Sequence, residues 1–301
     1  MKTRLIAVIT ILASTLLVSA CGTSTTSTTN PTPAPSSLTV VTTLSIFQEM
    51  TKKIAHTTTT TVQSIVPSGA EPHDFEPTPQ DILTLKDADL FIYNGLASLE
   101  PWLAKTLPFL PNTAQLDLSK TVTLRESDPH YWLDIENDIK TVDAIQKILS
   151  EKDPANKTIY EKNAQKLKTE LRLLDTAYMT QLKTCEIRTI VTAHDAYNYL
   201  AARYNIETYP IAGLSPESEP NAKTIASIIG IVDKKKIPYI LFETLASPKI
   251  AKTIAEETGA ATLVLNPIEG LTEEEKAAEK DFMTLMEENL TVLKKAMKCT
   301  M

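Results

Sequence analysis

The sequence predicts an α/β fold: two parallel-sheet lobes joined by one long helix, with a metal site in the cleft between them. Three observations carry this expectation. Short β-branched and aromatic runs alternate with amphipathic helical stretches from residue 38 to residue 297, the pattern of parallel strands with crossover helices. The stretch from Pro154 to Lys183 has apolar residues every three or four positions and no internal Gly or Pro, so it reads as one helix dividing the alternation into two halves. Three of the four histidines, His73, His130 and His194, sit in loops with acidic neighbours, and proline or aromatic residues stiffen the same loops. At 301 residues the chain also exceeds the usual size of a single core.

In chain order, Met1-Lys2-Thr3-Arg4 is a basic start followed by an apolar run from Leu5 to Ala20. The run is short for a spanning helix and has the size of a signal-peptide core. It ends Leu17-Val18-Ser19-Ala20-Cys21, which resembles a lipobox; on that reading residues 1–20 are removed and Cys21 carries the lipid. An ordinary signal peptide or an anchor helix are the alternatives. Residues 21–37, rich in Ser, Thr and Pro, then form a tether holding the folded part off the membrane. The expected location is extracytoplasmic, anchored to the cell membrane. Such a compartment permits a disulfide, and Cys185 and Cys299 are the one pair left to make it, unless both stay as free buried thiols.

The N-terminal lobe is expected over residues 38–152. Leu38–Thr43 is its first strand, and Ile46, Phe47, Met50 and Ile54 follow at helical spacing. Val62–Val66 is a strand leading to the His73 loop, Pro79 opens a short helix, and Leu90–Tyr93 is a strand ended by Asn94-Gly95. Leu99–Leu107 is expected to be helical and Ala114–Leu118 a strand. The connecting helix occupies residues 153–184, with Asp153 as cap and Pro154 in its first turn; roughly 30 residues would span about 45 Å. Too few heptads and no strict a/d seam speak against a coiled coil. The C-terminal lobe, residues 185–301, has strands at Ile187–Val191, Pro238–Phe242 and Thr262–Leu265. Its helices are the stripe Ile225, Ile228, Ile229 and Val232, the segment Pro248–Thr258 stopped by Gly259, and a closing helix through Phe282, Leu285, Met286, Leu290, Leu293 and Met297.

A formal charge of −7, with no Lys/Arg cluster among aromatics, excludes an ordinary nucleic-acid binder. The chemistry lies instead in Pro72-His73-Asp74-Phe75-Glu76-Pro77, Asp128-Pro129-His130-Tyr131-Trp132-Leu133-Asp134 and His194-Asp195-Ala196-Tyr197. His194, Glu243 and Asn266 each follow a predicted strand, where open parallel sheets bind ligands. Proline fixes φ, so the loop from Pro72 to Pro79 holds the His73 imidazole in place beforehand. Three neutral imidazoles select a late first-row metal over Ca²⁺ or Mg²⁺, which want oxygen. The flanking Asp74, Glu76, Asp128, Asp134 and Asp195 either support the imidazoles or cap helices. His56, before a threonine run, is read as a structural or surface residue without a metal role.

These motifs, with Asp87-Ala88-Asp89-Leu90, Tyr93-Asn94-Gly95, Leu99-Glu100-Pro101-Trp102-Leu103, Leu214-Ser215-Pro216-Glu217-Ser218-Glu219-Pro220 and Glu243-Thr244-Leu245-Ala246-Ser247-Pro248-Lys249, resemble the zinc/manganese solute-binding lipoproteins of ABC importers, the cluster A-I or ZnuA/TroA-like family. The resemblance implies two lobes joined by a long helix and assigns His73, His130 and His194 as metal ligands. A histidine at 194, where manganese-handling members tend to carry a carboxylate, favours Zn²⁺ over Mn²⁺. The fourth position, usually an aspartate, is Asn266 here; water or a carboxylate such as Glu243 are the other candidates, and Glu243 is also a candidate to support a ligand. Residues 119–127 hold no histidine, so no His-rich storage loop is expected. The implied partners are a divalent metal ion, a membrane permease with its ATPase subunit and, through the lipid, the membrane, with the chain acting as a monomer. The expected role is capture without turnover, with binding that weakens below about pH 6 as protons compete for imidazole. A zinc hydrolase using Glu243 as base, and a surface adhesin of the same fold, are the alternatives.

Overall fold

The computed structural model describes residues 38–56 and 59–300; the leader, Cys21 and the tether fall outside the described residues. No helix among the described residues is long and apolar enough to cross a membrane.

Two four-stranded sheets, all parallel, organise the described residues. The first contains β1 (Leu38–Thr42), β2 (Thr60–Ser64), β3 (Leu90–Tyr93) and β4 (Ala114–Asp117) in the order β2-β1-β3-β4. The second contains β5 (Thr189–Thr192), β6 (Glu207–Pro210), β7 (Tyr239–Phe242) and β8 (Ala261–Val264) in the order β6-β5-β7-β8. The two orders are the same permutation. Each reverses direction between its first and third strands, which opens a crevice at the carboxyl ends.

Ten α-helices lie among the described residues: α1 (Ser45–Ile54), α2 (Pro79–Asp87), α3 (Leu103–Thr106), α4 (Ile135–Lys152), α5 (Lys157–Gln181), α6 (Asn198–Tyr204), α7 (Ala222–Lys235), α8 (Lys249–Thr258), α9 (Glu273–Ala277) and α10 (Phe282–Ala296). The long helix expected from Pro154 begins instead with a 3-10 turn, Pro154–Asn156, and its α-helical part, α5, has 25 residues, about 37 Å. It packs back against α4, a helix of 18 residues that the sequence reading missed. The α4 stripe Ile135, Ile139, Val142, Ile145 and Leu149 is buried, and Asp134 caps it by accepting the Glu136 N–H.

Strand alternation divides the core. Val40, Leu90 and Ile92 of the first sheet and Ile190 and Leu241 of the second face one shared interior with α1, α4, α5 and α10. Val41, Phe91 and Tyr93 point the other way, onto Leu85, Trp102 and Leu103. Val191 and Ile240 likewise point onto Ile228, Val232 and Ile254. Each such side chain contributes about 1.5–3 kcal/mol by leaving water. The buried face of α5, Tyr160, Ala164, Leu167, Leu171, Leu174 and Tyr178, touches α1 at one end and α10 at the other. At that second end the Tyr178 hydroxyl donates to the Met286 carbonyl at 2.6 Å. A disulfide joins Cys185 to Cys299 across 114 residues, at the edge of the second sheet opposite its carboxyl ends.

Candidate metal centre

His73 follows β2 in a 3-10 turn, Pro72–Asp74. Its backbone N–H is accepted by Glu71 at 3.2 Å, and its Nδ1 faces the Ser98 carbonyl at 3.1 Å. His130 lies between the two sheets. Asp128 Oδ1 accepts both its backbone N–H, at 3.0 Å, and its Nδ1–H, at 2.7 Å. Asn94, at the end of β3, fixes the same segment: it donates to the Pro129 carbonyl at 2.9 Å and its own carbonyl accepts the Tyr131 hydroxyl at 3.0 Å. His194 follows β5, and Glu243, just past β7, accepts its backbone N–H at 3.2 Å and its Nδ1–H at 2.6 Å. Three Nδ1 atoms thus face pure acceptors, so each carries the hydrogen and leaves the Nε2 lone pair free.

The three Nε2 atoms converge. His73 and His130 are 3.4 Å apart and His130 and His194 are 3.3 Å apart. Glu269, in the loop after β8, brings Oε1 to 2.9 Å from His130 Nε2, 3.2 Å from His194 Nε2 and 3.6 Å from His73 Nε2. All four atoms lie within 4.8 Å of one another. A regular tetrahedron with arms of about 2.0–2.1 Å has edges of about 3.3–3.4 Å, and the five separations above, 2.9–3.6 Å, lie around that length. His130, His194 and Glu269 are buried, and the His73 side chain is only 1% exposed.

Asn266 stands outside the cluster. Its Oδ1 accepts the Ile268 N–H at 2.8 Å and its Nδ2 donates to Glu275 at 2.9 Å, so both ends of the amide are engaged elsewhere. Glu243 lies behind the His194 ring, on Nδ1 rather than Nε2. The fourth corner is Glu269, which the sequence reading missed. Of the acids flanking the histidines, Asp128 holds His130, whereas Asp134 caps α4 and pairs with Arg203 at 3.2 Å. His56 is exposed and apart from the cage.

The electrostatics follow from four buried titratable groups in contact. Burial opposes charge on His194, but its hydrogen bonds to Glu243 and Glu269 outweigh this and push it up to about 10. His130 is raised in the same way, against burial, by Asp128 and Glu269. Burial would lift Glu269, yet His130, His194 and His73 hold its carboxyl well below the usual range. Glu71, beside the cage, is pushed up to about 8 by burial and by the negative charge of Glu269. Three lone pairs and a carboxylate aimed at one point require positive charge there, either protons or a metal cation. Three nitrogens and one oxygen at tetrahedral spacing suit zinc.

The family model described as zinc-uptake complex component A, periplasmic, matches residues 40–296. The chain belongs to this family. It is 37% identical over 300 residues to the high-affinity zinc uptake system protein ZnuA of Bacillus subtilis, a match covering 93% of each chain. It is 35% identical to the zinc-binding lipoprotein AdcA of Streptococcus pneumoniae, but spans only 60% of that protein's length. Among solved structures, the Zn(II)-bound ZnuA-like domain of Streptococcus pneumoniae AdcA superposes with a TM-score of 0.77 at 38% identity, covering 86% of this chain and 98% of that one. The laminin-binding protein Lmb of Streptococcus agalactiae, described as a bifunctional protein with adhesin and metal-transporting activity, gives 0.79 at 33% identity, covering 86% of this chain and 99% of that one. The two-lobed α/β architecture is therefore that of the zinc-uptake component family.

Proposed function

We propose that this chain is the extracytoplasmic zinc-capturing component of an ABC importer, with Mn²⁺ a poorer cargo. The observation that carries this is the division of the cage: His73 and His130 come from loops of the first lobe, His194 and Glu269 from loops of the second. An ion held by all four bridges the lobes. It favours their closed arrangement in proportion to its differential affinity for closed and open forms. A permease with its ATPase would then read the closed form and draw the ion out. The N-terminal motif supports attachment through a lipid on Cys21, with the folded part working as a monomer.

Capture also fits the site better than turnover. A catalytic zinc keeps a position open for water, whereas Glu269 closes the fourth corner here. Glu243, the candidate base, is hydrogen-bonded to His194 instead of facing the cage.

Competition titration against a chromogenic chelator tests the proposal. One zinc per chain is expected, with binding abolished by His194→Ala and weakened at least about 100-fold by Glu269→Ala, more than the usual effect of an outer partner. Unchanged affinity in both variants would overturn it. A second reading, surface adhesion, is favoured by the likeness to Lmb. Attachment to laminin that survives His73→Ala/His130→Ala/His194→Ala would establish that role separately from transport.

A further inference from the structure

We infer that Asn266 is a positioning residue for the fourth ligand: it holds the loop after β8 in a conformation that the loop's own residues resist, and so aims Glu269 at the three imidazoles. This rests on the reading of His73, His130, His194 and Glu269 as the zinc site. The key observation is Ile268, immediately before Glu269, with φ +59°. A β-branched residue is sterically opposed to that left-handed region, where glycine or asparagine would be at home. Ile268 is also buried, so its side chain is fixed in the core while its backbone carries the turn.

Asn266 holds the turn in place. Its Oδ1 accepts the Ile268 N–H at 2.8 Å, and its Nδ2 reaches Glu275 Oε1 at 2.9 Å. The same carboxylate accepts the Thr272 N–H at 2.9 Å and closes the capping box of α9. One hydrogen bond therefore joins the start of the loop to its end, with Glu269 between them. Asn289 of α10 grips the Asn266 backbone from the other side: its Oδ1 accepts the N–H at 2.9 Å and its Nδ2 donates to the carbonyl at 2.6 Å. Both asparagines are buried, where an unmade hydrogen bond is costly. From the first lobe, the Trp132 indole N–H donates to the Pro267 carbonyl at 2.8 Å and the Gly69 N–H to the Leu271 carbonyl at 2.8 Å. Every residue from 266 to 268 has its backbone held, and the first free side chain in line is the ligand.

The test uses the folded, disulfide-bonded protein and reads zinc affinity together with the visible spectrum of its Co²⁺ form. Asn266→Ala is expected to weaken zinc about 10–100-fold, the range for residues that orient a ligand. Its Co²⁺ spectrum should move toward that of Glu269→Ala. If Asn266 acts through Glu269, adding Asn266→Ala to Glu269→Ala costs nothing further. Asn266→Asp sets a carboxylate against Glu275 and should behave like Asn266→Ala. Asn266→Asp/Glu275→Gln reverses donor and acceptor while keeping the link, and should recover zinc affinity to within about 2–3-fold, the scatter of independent sites; this pair decides the matter where Asn266→Ala does not fold. Wild-type affinity and spectrum in Asn266→Ala, full additivity with Glu269→Ala, or no recovery in the reversed pair would overturn the inference. Full zinc affinity in His130→Ala would overturn the zinc-site reading, and the inference with it.

Discussion

His194 and Glu243 face each other across the point where the second sheet reverses its order, with Nδ1 and Oε1 2.6 Å apart. The corresponding strand end in the first sheet carries Asn94, whose neutral amide donates to the Pro129 carbonyl and whose own backbone carbonyl accepts the Tyr131 hydroxyl, on either side of His130. At this strand end the topology thus supplies a charged partner to His194 and a neutral one to the His130 segment, whose own charged partner, Asp128, lies two residues before it in the same loop. Glu243→Gln keeps an acceptor for the Nδ1–H but removes the charge. Zinc affinity is expected to fall about 10-fold, at the low end of the effect of outer partners, and competition titration at pH 7 would measure it.

Proton competition sets a pH dependence whose sign is fixed. His130 and His194 are raised above the unfolded imidazole value of about 6.5, and His194 reaches about 10. In the metal-free protein their contribution to stability is complete below about pH 6.5 and is lost as pH rises toward 10. Glu269, being lowered, contributes above the ordinary carboxylate value of about 4.3 and loses this as pH falls through its folded value. Zinc must displace the imidazole protons, so its affinity should climb from pH 6 to pH 9. The sequence alone places the weakening below about pH 6; Asp128, Glu243 and Glu269 shift it upward. Calorimetry in buffers of different ionisation enthalpy should find at least about one proton released per zinc at pH 7, that of His194. An affinity that levels off at pH 7 would contradict this.

Asp138, in the first turns of α4, is buried and neither carboxylate oxygen has a hydrogen-bond partner among the described residues. Burial pushes it well above the ordinary value. The folded state then keeps a proton that the unfolded chain releases, so stability is lost as pH rises from about 3.9 toward the folded value. Asp138→Asn should raise Tm at pH 7 by about 2–4 °C for each kcal/mol recovered, and leave it nearly unchanged at pH 4. Differential scanning calorimetry at the two pH values checks this.

Cys185 precedes β5 and His194 follows it, so the strand, about 13 Å long, separates the disulfide from the cage. Cys185→Ser/Cys299→Ser should cost about 2–5 kcal/mol of stability. Zinc affinity should stay within about 2–3-fold of wild type, as for independent sites. Denaturant melts and zinc titration of the same sample separate the two effects.

The fold and three corners of the cage were legible for local reasons. Strands or helices and acidic neighbours lie within a few residues of His73, His130 and His194, and prolines stiffen the first two of these loops. Glu269 was not. The obvious candidate was Asn266, directly after β8, because ligands sit at strand ends. The chain instead turns through Ile268, and no propensity places a β-branched residue at φ +59°. The one available signal was Pro267-Ile268-Glu269-Gly270, a lone acid between turn residues. Helix α4 was missed because Asp134 was read with His130, although it caps the helix. Strand β6 was missed because Glu207–Pro210 ends in proline and lies at the sheet edge, where the hydrophobic signal is weak.

The near-complete burial of the four donor side chains has a kinetic consequence. An ion seated among them has no face turned to water, so it cannot leave by exchanging ligands one at a time with solvent. Under the proposed role, its residence time would be set by how often the loops carrying His73, His130, His194 and Glu269 part. Release would then be a mechanical event, and a substitution that stiffens those loops would lengthen retention without altering a single coordinating atom.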